Sequence, residues 1–115
     1  PTIVVVDGLY DPHARLVDIK VGAVDDSGIR EVIVSYIEDE RVAAASIRAV
    51  RLAFDAAAQK WRGSFPGHAY TTYFVQVVDN AGNVATASNK GRYYRPAEAR
   101  AASSSGVVYL PLVSR

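Results

Sequence analysis

The chain has 115 residues, 13 Lys plus Arg against 12 Asp plus Glu, half its residues hydrophobic, and neither Cys nor Met. That is one domain's worth of chain, able to bury roughly two-thirds of its unfolded surface, and it excludes a second domain. A formal net charge of +1 excludes a global field that would draw in nucleic acid or anionic lipid, and the lack of Cys excludes disulfide frameworks, thiolate zinc sites and thiol nucleophiles.

Val and Ile together contribute 23 residues and Leu only 5, which tilts the apolar content toward pleated strands. The opening run Ile3 to Val6 reads as a first strand. Val17, Ile19, Val21 and Ala23 recur at every second position, with Asp18, Lys20 and Gly22 between them, as a strand with one buried face requires. After the turn Asp25-Asp26-Ser27-Gly28, Val32, Val34 and Tyr36 alternate. Ile33 and Ile37 make the second face apolar too, which marks a more central strand. The charged stretch Glu38-Asp39-Glu40-Arg41 closes it.

Residues 42 to 61 fit two patterns. Ile47, Val50, Phe54, Ala57 and Trp61 fall on helical spacing in an Ala-rich stretch. Alternatively Val50, Leu52 and Phe54 form one strand, Asp55 to Gln59 a turn, and Trp61, Gly63 and Phe65 the next strand. The all-β surroundings favour strands. Tyr73, Val75 and Val77 then share one face of a strand. Asp79-Asn80-Ala81-Gly82-Asn83 reads as a type I turn with Gly82 in the left-handed position and the Asp79 carboxylate accepting from turn amides. Val84 to Ser88 returns, and Arg92-Tyr93-Tyr94 continues the strand until Pro96 ends it.

Seven short strands at this spacing predict an all-β, seven-stranded antiparallel sandwich. Trp61, Tyr36, Phe54, Phe65 and Tyr73 are the expected large core side chains. Asp-Asp-Ser-Gly-Ile at 25–29, Val-Ile-Val-Ser-Tyr at 32–36, Trp-Arg-Gly-Ser-Phe-Pro at 61–66 and Tyr-Phe-Val-Gln-Val-Val-Asp-Asn-Ala-Gly-Asn-Val at 73–84 carry a resemblance. Over residues 1–95 the chain resembles the immunoglobulin-like and fibronectin type III-like modules of bacterial extracellular proteins, without the cysteine pair of antibody domains. The resemblance implies a module that spaces, braces or adheres within a larger secreted or cell-surface protein. A chain that opens on Pro1 and lacks Met fits a piece of such a polypeptide, with neighbouring domains of the parent as its partners. Residues 96–106, Ala- and Ser-rich, read as a linker, and residues 107–115 as an apolar C-terminal tail. Val107 to Val113 is far short of the ~20 residues a membrane span needs. It is expected to add a strand to an exposed sheet edge, in its own domain or in another copy.

Candidate chemistry is sparse. His13 and His68 sit in turn contexts after Asp11-Pro12 and Pro66-Gly67, and no nucleophile, zinc or phosphate-loop motif accompanies them. No catalytic, metal or cofactor-binding residues are therefore expected. Asp25, Asp26, Asp55, Asp79, Asn80 and Asn83 lie on turns at one end and have the oxygen chemistry of a calcium site, but such residues ordinarily cap turn amides. Lys90, Arg92 and Arg95 flank Tyr93 and Tyr94, yet the near-neutral chain argues against nucleic acid. Tyr93 and Tyr94 remain the candidate ligand-binding residues of a second reading, a carbohydrate-binding module that stacks sugars on exposed rings.

Overall fold

The computed structural model describes residues 1–42, 46–88 and 94–98. Their regular structure is all strand: β1 (Thr2–Asp11), β2 (Leu16–Val24), β3 (Ile29–Ile37), β4 (Arg48–Arg51), β5 (Ala53–Asp55), β6 (Lys60–Pro66), β7 (Thr72–Asp79), β8 (Val84–Ala87) and β9 (Ala97–Glu98). Two sheets, ordered β5-β6-β2-β1-β9 and β4-β3-β7-β8, face each other across one core. All neighbours are antiparallel except β9, which runs parallel to β1 beside Leu9 and Tyr10.

Alternation places the core. Val17, Ile19 and Val21 of β2 are fully buried, as are Val32 and Val34 of β3 and Tyr73, Val75 and Val77 of β7. The intervening Asp18 and Lys20 face outward. The two sheets meet through stacked rings: Tyr36 of β3 lies 4.0 Å from Phe65 of β6 at 21°, and Phe65 meets Tyr73 edge-on at 6.3 Å. Trp61 does not join them at the centre. It is only partly buried, and Phe54, 50% exposed, leans on it at 5.3 Å at one margin of the sheet.

The strand count exceeds seven because Ala97–Glu98 forms β9 and because the stretch Val50–Phe54 is not one strand. β4 pairs with β3 in one sheet, β5 pairs with β6 in the other, and the chain crosses between them at Leu52. Leu52 is buried and donates its amide to the carbonyl of Val32 at 2.9 Å, so the crossing residue is itself a core residue. Period-two alternation does not report such a switch, because the inward direction is the same on both sides of the step. The helical alternative for this segment is excluded over its described residues. Ala43–Ala45 lie outside them.

Ends differ as well. β1 is ten residues long, with a bulge between Ile3 and Val5 that leaves Val4 out of register with β2. Pro96 does not open a linker directly: after Tyr94 re-pairs with Tyr73, the chain crosses to β1 and forms β9. The rest of the expected linker and the whole apolar tail lie outside the described residues.

The β7–β8 hairpin follows the sequence expectation. Gly82 has φ +92°, its amide donates to the Asp79 carbonyl at 3.1 Å, and Asn83 donates its amide to Asp79 Oδ1 at 2.8 Å. A Cβ at Gly82 would meet nothing within 4 Å, so the cost of a side chain there is backbone strain alone. Gly82→Val is expected to lower stability by more than about 1 kcal/mol in thermal melts, with Gly82→Asn losing less. An unchanged midpoint for the Val variant would contradict the left-handed requirement. Tyr73 supplies a second test. Its hydroxyl is buried without a hydrogen-bond partner among the described residues, so Tyr73→Phe keeps the ring and is expected to raise stability by about 1 kcal/mol, read as a higher melting midpoint. A loss of that size would show that the hydroxyl is bonded.

Candidate functional site

Of the two tyrosines singled out as ligand-binding, Tyr93 lies outside the described residues. Tyr94 is half-buried. Its amide donates to the Tyr73 carbonyl at 2.7 Å, its carbonyl accepts from Tyr73 at 3.0 Å, and its ring stacks on the Tyr73 ring at 5.4 Å and 27°. One ring face is therefore taken by the core, and burial raises the pKa of its hydroxyl. Of the flanking cations, Arg95 forms an ion pair with Glu40, and Lys90 and Arg92 lie outside the described residues.

The densest arrangement of functional side chains lies at the end of the β3–β7 pair. Ile37 is the register partner of Thr72, so residues 38–41, which follow β3, lie against residues 68–71, which precede β7. Thr71, fully buried, ties the two segments. Its hydroxyl donates to the Glu38 carbonyl at 2.6 Å and accepts from the His68 amide at 2.9 Å, while the Glu40 amide donates to the Tyr70 carbonyl at 3.0 Å. On this frame Arg41 grips Asp39 with two donors, Nε at 3.0 Å and Nη2 at 2.9 Å, and lays its guanidinium 3.9 Å from the centre of the Tyr70 ring. The Arg41 hydrogen bonds, reinforced by its amide, its charge and His68, hold the Asp39 carboxyl at a pKa of about 2. Residues of both segments had been read singly, as a charged turn and a loop histidine. Only the strand register brings them together.

His68 is held on both sides. Its Nε2 stands 3.4 Å from Asp39 Oδ2, and its Nδ1 accepts the Tyr70 amide at 3.2 Å. The neutral ring therefore carries its proton on Nε2, toward the carboxylate, and its one lone pair is already engaged. Ser46 lines the same concavity of about 330 Å³, but His68 in this state has no free nitrogen with which to accept a hydroxyl proton. His13 sits exposed in the β1–β2 hairpin, where its amide donates to Asp11.

A second feature is a shallow groove of about 720 Å³ over the outer face of β2 and β6 beside the β5–β6 hairpin. Asp18, Lys20, Ser64 and an Arg62–Asp55 ion pair at 3.1 Å line it, with Phe54 at its margin. The Arg62 hydrogen bond, followed by the amides of Ala58 and Ala57, lowers the pKa of Asp55. This face gathers paired donors and acceptors from three strands, which local alternation does not bring together, while the Phe54 ring lies on the opposite face beside its register partner Trp61.

The turns weighed as a calcium site serve each other instead. Asp25 accepts from the Ser27 hydroxyl at 2.6 Å and amide at 2.9 Å and lies 2.9 Å from the Pro1 nitrogen. Asp79 accepts from the amide and side chain of Asn83, and Asn80 donates to the Ser27 carbonyl at 2.6 Å, locking the two turns together. Asp55 is occupied within its own hairpin by the amides of Ala57 and Ala58. Among the described residues, no three His, Cys, Asp or Glu side chains are grouped to hold a metal ion, and no helix is long and apolar enough to cross a membrane.

These carboxylates set the acid response. Asp25, through Ser27 first, and Asp39, through Arg41 first, both have pKa values of about 2, below the unfolded carboxylate value of 3.8. Stability linked to them is present above the unfolded value and lost as pH falls through the folded one. The melting midpoint is expected to drop between about pH 4 and 2, and Asp39→Asn to flatten that drop while lowering the neutral-pH midpoint. Melts recorded across that range check both outcomes. The chain matches no family model, no curated protein and no solved structure.

Proposed function

We propose that this chain is a non-catalytic structural or interaction module of the immunoglobulin-like type, belonging to a larger secreted or cell-surface bacterial protein. The strand order carries the reading. β5-β6-β2-β1 opposite β4-β3-β7-β8 follows the D-E-B-A and C-F-G arrangement of such sandwiches, with β4 in the additional place beside the C strand. The Asp-x-x-Gly-Asn hairpin and the alternating strands before it supply the same resemblance at the level of residues. The non-catalytic part is supported by His68, whose nitrogens are committed to Asp39 and to a backbone amide.

A carbohydrate-binding role is favoured by one specific observation, the groove in which Asp18, Lys20, Arg62 and Ser64 set charged and hydroxyl groups side by side on an exposed sheet face. Affinity electrophoresis and pull-down on soluble and insoluble glycans, with reducing-sugar release followed in parallel, separates the readings. The module reading expects unretarded migration and no sugar release. Retention lost in Lys20→Ala would transfer the function to this groove, and sugar release by the purified chain would make it an enzyme.

A further inference from the structure

Hydrogen-bond parity along the sheet edges singles out β8. The Asp79 amide donates to the Asn83 carbonyl at 3.0 Å, and Tyr73 exchanges amide and carbonyl bonds with Tyr94, so the odd-numbered residues of β7 bond toward β8. Val77 and Val75 therefore bond to their register partners Ala85 and Ala87, while the amides and carbonyls of Val84 and Thr86 point away from β7. These outward groups have no backbone partner among the described residues. The other outer strands are guarded. β4 carries Arg48 and Arg51, β5 is three residues long, and β1 has the bulge between Ile3 and Val5 and then β9 beside Leu9 and Tyr10. β8, Val-Ala-Thr-Ala, has no charge, no Pro and no bulge, and its Val84 is 55% exposed.

We propose that β8 is a two-fold interface between copies of this chain, the β8 of a second copy adding antiparallel to it so that the two β4-β3-β7-β8 sheets become one. The register follows from the parity. Only residues with outward groups bond across the new ladder, so Val84 faces Thr86 of the second copy, Thr86 faces its Val84, and Ala85 meets Ala85 on the axis. Every outward amide and carbonyl of the two residues is then satisfied within β8. Moving the axis to Val84 or to Thr86 leaves one of them facing a residue beyond the strand. The edge is thus complementary to itself, which is what an isologous contact requires. Charge does not oppose it: β8 brings no charged side chain against its copy, and a formal net charge of +1 sets little repulsion between chains. This inference goes beyond the proposed function and holds whether or not the module binds a glycan.

Sedimentation equilibrium of the full chain over about a hundredfold range of concentration is expected to show monomer passing to dimer. Thr86→Pro removes an outward donor and no bond to β7, and is expected to stay monomeric with its dilute-solution melting midpoint kept. Thr86→Lys, which guards the edge with a charge, gives the same test should the Pro variant not fold. A monomer at every concentration, or a dimer that survives Thr86→Lys, would overturn the proposal. The absence of native Cys lets Ala85→Cys test the register. Across the axis the two Cα atoms stand ~4.5 Å apart, within disulfide reach. Ala85→Cys is expected to link two chains at about ten times the yield of Ile47→Cys, 59% exposed ahead of β4, and equal yields would count against the pairing. Hydrogen exchange in the unaltered chain gives an independent readout. Amides of Val84 and Thr86 are expected to gain protection as concentration rises, while those of Ala85 and Ala87, bonded to β7, are protected throughout. Protection of Val84 and Thr86 that does not change with concentration would assign the edge to a segment of the same chain and overturn the two-fold contact.

Discussion

The two sheets are held in register with each other by one buried ring. Tyr73 is fully enclosed at the start of β7, with Phe65 of the opposite sheet against its edge and Tyr94 stacked on its face. Its hydroxyl reaches so far into the first sheet that a Cβ at Gly8 would collide with it. The bare backbone of β1 at Gly8 is therefore a packing requirement: the tyrosine and the glycine together set how closely β1 approaches β7. Because the core is otherwise built from Val, one Ile, one Leu and two further rings, this contact bears on the spacing that the smaller side chains then fill.

The chain crosses between sheets repeatedly, and different chemistry serves each crossing. At Asp25–Gly28 a carboxylate gathers the Ser27 amide and hydroxyl, Gly28 turns with φ +89°, and Asn80 binds the turn to the neighbouring hairpin. At Leu52 the crossing is apolar and its backbone amide finds a partner on β3. At Gly67–Thr71 a buried threonine hydroxyl serves as both donor and acceptor, and a side chain at Gly67 would strike it and Val17. Each solution satisfies the polar backbone where the ladders stop, which is the condition for bringing a connection close to the core.

The polar side chains have been drawn into this structural work. Asp11, Asp25, Asp39, Asp55 and Asp79 all accept amides of their own turns, Arg41 and Arg62 partner two of them, and His68 is wedged between a carboxylate and a peptide. Each of these groups thereby holds a turn or a strand connection in place. Among the described residues, two grooves lie outside these contacts, one over the outer face of β2 and β6 and one between β1 and β8.

Strand identity was legible in the sequence wherever one face is buried, because alternation is a local property: Val17-Ile19-Val21, Val32-Val34-Tyr36 and Tyr73-Val75-Val77 all face inward as their spacing requires. The Asp79–Asn83 turn was equally legible, since a left-handed glycine and an amide-accepting carboxylate are encoded in five consecutive residues. Three things were decided only by the tertiary structure. The switch of sheets at Leu52 depends on which neighbour each half finds, a choice alternation does not contain. The displacement of Trp61 and Phe54 to the margin depends on Phe65, Tyr36 and Tyr73 occupying the centre first. The meeting of Asp39 and Arg41 with His68 and Tyr70 depends on the β3–β7 register, which places side chains some thirty positions apart side by side.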